Sequence, residues 1–565
     1  MINLLYCSFL VTVYHFFWGG IFVRLFKIKI SYNSNFSIYS LLGIIFLSFI
    51  SLTFNFFIPI NKLFSTSIFL LSLSIFFFEK KIFNKKIFCY IITNSLIVFF
   101  LVFLSESYRP DSGLYHYPLV NVINENKIVI GLANIHQRFG HASIIQYLSA
   151  IHNNHFIGLN GIIFPTASIA SAVIIYFLKH IIRIKKFNLS NFFSIFIILY
   201  IGYKMIRYSE YGNDTPGHLI LFLIVSFFLR FYEEKFLNKE NIFFLISLFS
   251  VYAYLNKTFL IFLLIVPLLL NYKFYINRFN IFSFVYIFFF IFFFSIKNIL
   301  NSGCIIYPAV FTCLNFNWTN FTYINNVFDV SVGSEAWSKD WSNQKGVILN
   351  YKDYINNTVW IEYWIQNHFK VILKILIPYF IIIFTLFLYL NLKKKNLDKV
   401  TILNKKIKSK VISLSSILLI GFVAWFLKGP IYRYGYSYII SIISLFFSYI
   451  FFVKFNYLSL KNIKNIKYFI IILFTLVFIG KQFNRIFEQY KNMYYNYPWP
   501  KYFSSSPNNA KVNLIGKVKN GELYYYIPKK DFCYYSKSPC TSEEVDEAIK
   551  LKYIYGFKIY YFDGK

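Results

Sequence analysis

The chain has 565 residues, of which 57% are hydrophobic, 23% aromatic and only 14% charged. Soluble proteins carry roughly a quarter charged residues, and here the deficit runs along the whole chain, which excludes an ordinary soluble enzyme, a disordered protein and a disulfide mini-scaffold. The net charge of +34, from 57 Lys and Arg against 23 Asp and Glu, then reads as basic cytoplasmic loops and attraction to anionic lipid, not as nucleic-acid binding.

Apolar runs long enough, or nearly so, to cross a bilayer fall at 4–22, 38–58, 63–78, 87–104, 159–178, 190–203, 216–231, 241–256, 258–272, 281–300, 371–391, 411–427, 436–453 and 467–481. They predict an all-α polytopic membrane protein with about 12–14 transmembrane helices. The first run has no basic residue before it and no small-residue cleavage site after it, so it is expected to be retained as a span. Basic clusters fall on alternate connections: Arg24/Lys27/Lys29, Lys80/Lys81/Lys85/Lys86, Lys179/Arg183/Lys185/Lys186, Arg230/Lys235/Lys239, Lys273/Arg278, Lys393–Lys410 and Lys454/Lys461/Lys464. Placing these inside gives one self-consistent topology with the N-terminus outside. Connections 105–158, 204–215, 301–370 and 428–435, and the tail from about 482, then lie outside and hold most of the Asp, Glu, His, Gly and Pro.

Two domains follow. Residues 1–481 form the transmembrane domain, and 482–565 a small α/β tail, with strand-like runs at Leu523–Ile527 and Lys558–Phe562 around a polar, helix-like Ser542–Leu551. Cys304/Cys313 and Cys533/Cys540 are closely spaced pairs on the outer side, where disulfides persist. Cys7 and Cys89 lie in spans and are expected to be inert.

The first outer connection places Asp111 just past a span. Pro118 suits a first helical position, with Leu119, Val120 and Ile123 on one face and Asn121, Asn124 and Glu125 opposing them. A second amphipathic helix fits Ile144, Ile145, Leu148 and Ile151, and two such helices lying flat would frame a cavity over the membrane. A carboxylate at that position can accept a proton from an acceptor hydroxyl while the lipid part of a donor stays in the bilayer; the plainer reading is a turn, since Asp-Ser-Gly is a strong turn signal.

In the second outer connection Thr215 is expected to cap a helix starting at Pro216, with Asp214 favouring its dipole. Glu210 has no such structural role and is a candidate second carboxylate. Arg433, with Lys428, sits on a late outer connection, against the positive-inside trend, and Arg offers a bidentate fork to a phosphate. The competing reading is an interfacial Arg reaching to headgroups. Lys297, near the outer end of its span, is a weaker candidate of the same kind. His116, His136, Arg138 and His141 match no standard zinc spacing and read as structural groups or acceptor contacts. Trp318, Trp337, Trp341, Trp360 and Trp364 in 301–370 fit an interfacial role better than sugar stacking. No P-loop or dinucleotide fingerprint is present.

The stretch Asp111-Ser-Gly-Leu-Tyr115-His116, then Asn124-Glu-Asn-Lys-Ile-Val-Ile-Gly131, then Arg138-Phe-Gly-His141 resembles the first outer loop of the GT-C superfamily of integral membrane glycosyltransferases. It is also similar to a group of uncharacterised bacterial multi-span proteins. The resemblance implies a sugar moved from a polyprenyl-phosphate donor to a lipid-, glycan- or protein-linked acceptor, on the periplasmic face of a bacterial inner membrane (the lumen of the endoplasmic reticulum in a eukaryote). It implies Asp111 as base, Arg433, Lys428 and Lys297 at the donor phosphate, and Tyr115, His116, Glu210, Arg138 and His141 near the acceptor, with no metal or other cofactor expected. The acidic loop here follows the fourth span and not the first, so three spans would be an N-terminal addition, and no second acidic motif of the metal-dependent oligosaccharyltransferase type is present. An O-antigen polymerase or ligase, centred on Arg and His in a late outer loop, and a flippase-like transporter, with charges near mid-membrane, are the alternatives.

Overall fold

The computed structural model describes residues 2–29, 35–75, 85–104, 111–204, 212–234, 238–270, 281–319, 321–344, 349–393, 405–455, 460–492, 512–517, 523–528, 532–543 and 545–562. In chain order, α1 (Ile2–Leu25), α2 (Phe36–Asn55), α3 (Lys62–Ser72) and α4 (Lys85–Phe103) precede the first outer connection. That connection holds α5 (Tyr117–Glu125) and α6 (Ile144–Ile151). There follow α7 (Phe164–Ile182), α8 (Leu189–Lys204), α9 (Asp214–Glu233), α10 (Lys239–Asn256), a 3-10 segment at Thr258–Leu269 and α11 (Ile281–Ser302). After α12 (Phe321–Ser338) and α13 (Tyr351–Asn356), the long α14 (Trp360–Lys393) passes through a π-helical turn at Ile365–Phe369. The last helices are α15 (Lys405–Lys428), α16 (Tyr432–Phe455) and α17 (Leu460–Asn492).

Each predicted apolar run is helical over most of its described residues. Among the described residues ten helices are long and apolar enough to cross a membrane, so the chain is a multi-pass membrane protein with a mainly helical fold. The remaining four, α3, α8, α10 and Thr258–Leu269, fall short in length or apolarity, which puts the count below the 12–14 expected. Burial ranks them: the apolar window that ends in α7 is 94% buried and those of α2 and α9 83%, whereas that of α17 is only 22% buried. The first three form the centre of the bundle. The outer helices present Phe282, Phe284, Phe288, Ile381 and Phe384 outwards, as a lipid-facing surface requires. Gly19 and Gly43 let α1 and α2 touch backbone to backbone, since a side chain at either would collide with main-chain atoms of Tyr39 or His15. Such small-residue contacts are the usual means of close helix approach in a bilayer.

The tail contains two antiparallel hairpins, β1 (Val512–Lys517) with β2 (Leu523–Pro528) and β3 (Ile549–Ile554) with β4 (Phe557–Phe562). The strands expected at Leu523–Ile527 and Lys558–Phe562 are present, but the helix expected at Ser542–Leu551 is not. Ile549 and Leu551 are buried alternately in β3, a period of two that a polar composition hid. Cys304–Cys313 and Cys533–Cys540 are both disulfide-bonded. Cys7 is buried and Cys89 exposed, both free thiols.

Candidate active site

Asp111 opens a π-helical turn, Ser112–His116, that runs directly into α5, with Pro118 in its first turn as expected. Single π turns concentrate at functional positions. Helix α6 starts with a capping box in which Ser143 and Gln146 satisfy each other's backbone N–H groups. Because the Oε1 atom of Gln146 accepts from the Ser143 N–H, its Nε2 faces His116 and donates to Nδ1 at 3.0 Å. The proton of neutral His116 therefore sits on Nε2. Burial pushes the imidazole down to about 4, with Asp111 and Asp214 opposing and Arg433 and Lys257 reinforcing that shift. His116 is a neutral donor at the centre of a charged cluster.

That cluster joins four parts of the chain. Arg433, in the first turn of α16, donates to Asp111 at 3.0 Å and stands 3.8 Å from Asp214, at the start of α9. Arg138, from the first outer connection, approaches the other oxygen of Asp111 at 3.7 Å. Lys257, just past α10, pairs with Asp214 and lies 3.7 Å from the ring centre of Tyr434. Among the described residues, three cations thus face two carboxylates. The side chains of Asp111, Arg138 and Arg433 are 28%, 40% and 39% exposed, so the cluster is open to a ligand. Tyr115 lies under the Arg138 guanidinium at 5.3 Å, and burial raises its hydroxyl far above the usual range. His218 locks the start of α16, with Nε2 against the Arg433 carbonyl at 3.0 Å and Nδ1 against Ser437 Oγ at 2.6 Å.

Several expectations need correction. Thr215 does not cap α9: the helix begins at Asp214 with Asn213 at its N-cap, and the Asp214 carboxylate turns to Lys257 and Arg433. Lys428 leans away, pairing with Glu335 at 2.9 Å on a side chain 68% exposed. Lys297 is buried under the loop, where its ammonium donates to the Ala142 carbonyl and Asn298 Oδ1 and lies over Phe294. Neither lysine joins the Asp111 pair. Glu210 lies outside the described residues. His141 packs edge-on against Tyr307, and burial beside Lys257 and Arg138 lowers it to about 3. Sequence reasoning missed Lys257 and His218. The signal for Lys257 was available: it is a lone lysine between two apolar runs on the outer side, the argument already made for Arg433.

The 301–370 connection braces this site from one side. Trp364 donates to the Pro430 carbonyl at 2.7 Å, and Trp425, in α15 and outside this connection, to that of Ile431 at 2.8 Å, fixing the turn that presents Arg433. These tryptophans pack and hydrogen-bond to protein. The tail braces the other side. The Tyr535 hydroxyl donates to Asn124 Oδ1 at 2.7 Å, and Ser538 Oγ to Glu125 Oε2 at 2.6 Å. Helices α5 and α6 are therefore buried on both faces, Asn121 and Asn124 included, whereas the sequence suggested two helices lying flat over the membrane. Strand β4 pairs with the loop before α6 through Tyr560 N–H to the Ile130 carbonyl at 2.9 Å and Ile130 N–H to the Lys558 carbonyl at 3.0 Å. Gly131, at φ +69°, makes this possible: a side chain there would strike the Tyr560 carbonyl.

No curated protein and no solved structure matches the chain. A family model described as a domain of unknown function, DUF8201, matches residues 1–440. The matched region contains Asp111, Arg138, Asp214, Lys257 and Arg433 and stops before the tail. The chain belongs to the DUF8201 family.

Proposed function

We propose that this protein is a membrane glycosyltransferase of GT-C type, moving a sugar from a polyprenyl-phosphate donor to a lipid-, glycan- or protein-linked acceptor at the outer face of a bacterial inner membrane. The observation that carries this reading is the Asp111–Arg433 pair at 3.0 Å, set in a cluster of three cations and two carboxylates among the described residues. A carboxylate beside a cationic site is what such a transfer needs.

In this mechanism the donor phosphate takes Arg433, assisted by Lys257 and Arg138, and frees one oxygen of Asp111. The acceptor hydroxyl oxygen attacks the anomeric carbon while the bond from that carbon to the phosphate oxygen breaks. Its proton passes to Asp111, and polyprenyl phosphate departs as an anion held by the guanidinium. The Nε2–H of His116 and the Tyr115 face orient the acceptor. Lys257 and Arg138 thus take the part that the sequence assigned to Lys428 and Lys297.

The test compares envelope glycans and polyprenyl-phosphate-sugar pools in a deletion strain complemented with wild type or Asp111→Asn. Loss of one sugar modification with accumulation of its donor, unrelieved by Asp111→Asn at normal membrane levels, supports the transferase. Unchanged pools and glycans in the deletion strain would sink it.

A further inference from the structure

The opposite end of the bundle carries a second concentration of polar groups. The start of α2 and the ends of α7 and α9 surround a small solvent-open pocket, with a cavity of about 50 Å³. Lys179, Arg183 and Arg230 line it, with His180 and Tyr176 beside them, and no carboxylate does so among the described residues. Glu234 stands behind Arg230 and is already engaged in a two-point ion pair with it at 2.6 and 3.1 Å. The Tyr176 hydroxyl accepts from the same guanidinium at 3.1 Å.

Cations at the ends of α7 and α9 meet the negative ends of helix dipoles, so charge alone does not define a site. Two other observations do. Helix α2 is 20 residues long and begins at the pocket. Its Ile38 and Tyr39 N–H groups already donate to the Asn35 carbonyl, so the N–H groups of Phe36 and Ser37, with the positive dipole end, are what the helix offers to the space between the cations. Within that first turn Ser37 also lines the pocket, yet it is 2% exposed and its hydroxyl has no hydrogen-bond partner. A buried donor left unsatisfied is costly and calls for a missing acceptor.

We propose that this pocket binds a phosphate group, with Ser37 Oγ and the N–H groups of Phe36 and Ser37 donating to its oxygens and Lys179 and Arg183 supplying the charge, while Arg230 stays paired with Glu234. The pocket opens at the end where the basic connections gather, which the positive-inside rule assigns to the cytoplasmic membrane surface. An anionic lipid headgroup is the expected source of the phosphate, and free phosphate the other source of the same chemistry. The site is independent of sugar transfer at the far end.

The test uses the full chain in detergent, probed with phosphatidylglycerol against phosphatidylcholine by native mass spectrometry, and with inorganic phosphate by thermal shift. Lys179→Gln/Arg183→Gln should lower phosphatidylglycerol retention by about fivefold for each cation removed, and Ser37→Ala should lower it several-fold without altering charge. Lys185→Gln/Lys186→Gln removes two charges from the same end but outside the pocket, and should leave retention unchanged. Thermal stabilisation by inorganic phosphate that Ser37→Ala abolishes would identify free phosphate as the source. The proposal is overturned if the Lys185/Lys186 control loses as much as the pocket variant, or if Ser37→Ala changes neither readout. Should the double variant misfold, the near-isosteric Ser37→Ala decides.

Discussion

The backbone N–H of Tyr534 donates to the carbonyl of Gly113 at 2.8 Å, so the tail touches the π-helical turn two residues from Asp111. Together with the Ile130–Tyr560 pairing, this makes the tail a structural part of the site's loop and not an appendage.

Gly131→Ala tests that coupling. A methyl group at a left-handed position against the Tyr560 carbonyl should break the β4 pairing at a cost of about 1–3 kcal/mol. Hydrogen exchange at 549–562 should rise, and activity should fall even though Gly131 touches no reacting group. Unchanged protection in β4 would show that the pairing is not needed.

Asp111→Asn should lower transfer by about two to four orders of magnitude, with membrane levels close to wild type because Arg433 keeps Asp214. Arg433→Lys should fail to rescue, since an ammonium cannot bridge Asp111 and Asp214 as a fork does. Transfer assays on purified protein with a lipid-linked donor check both, and full activity of Asp111→Asn would remove the base from the mechanism.

Asp214 and Lys257 are a largely buried pair, 20% and 12% exposed. Removing one partner leaves the other uncompensated, so Asp214→Asn or Lys257→Met alone should destabilise by about 3 kcal/mol. The double variant should recover a good part of that loss. A thermal double-mutant cycle measures the coupling, and simple additivity would show that the pair is not an ionic unit.

Histidine gives a pH prediction with a definite sign. Burial holds His116 and His152 at about 4 and His141 at about 3, against the usual 6.5. Between pH 6.5 and about 4 the unfolded chain binds protons that the folded one refuses, so stability falls as pH drops through that window and is level above it. The melting temperature should fall accordingly, and His116→Gln should flatten part of the fall. A flat profile from pH 7 to about 4.5 would mean that these rings are not held neutral.

The helices were legible because transfer to lipid acts on runs of residues, and a run of apolar side chains is visible one position at a time. Pro118 announced the start of α5 for an equally local reason. Asp111 and Arg433 could be singled out by position, yet their contact across 322 residues could not, since nothing in either neighbourhood encodes the other. Asp214 stands in the first turn of its helix as expected, and because that position accounts for an acidic residue by itself, its pairing with Lys257 left no mark in the sequence. The β3–β4 hairpin leaves one mark in the sequence, Gly556 between two alternating runs, and in the structure Tyr555 and Gly556 both take positive φ, the geometry of a two-residue turn. Docking of the tail was beyond reach, because an extended segment that pairs through backbone groups leaves little mark on composition.

The bond from Tyr560 to Ile130 also sets an order of events during synthesis. The first outer connection reaches the membrane early, with its loop edge exposed, and receives β4 only after more than four hundred further residues have been made and their helices inserted. A ribosome stalled within α17 would leave a bundle with its helices in place and its charged cluster formed, but with α5 and the Ile130 edge uncovered. Completion of the site is in that sense a report that the chain has been delivered as far as β4.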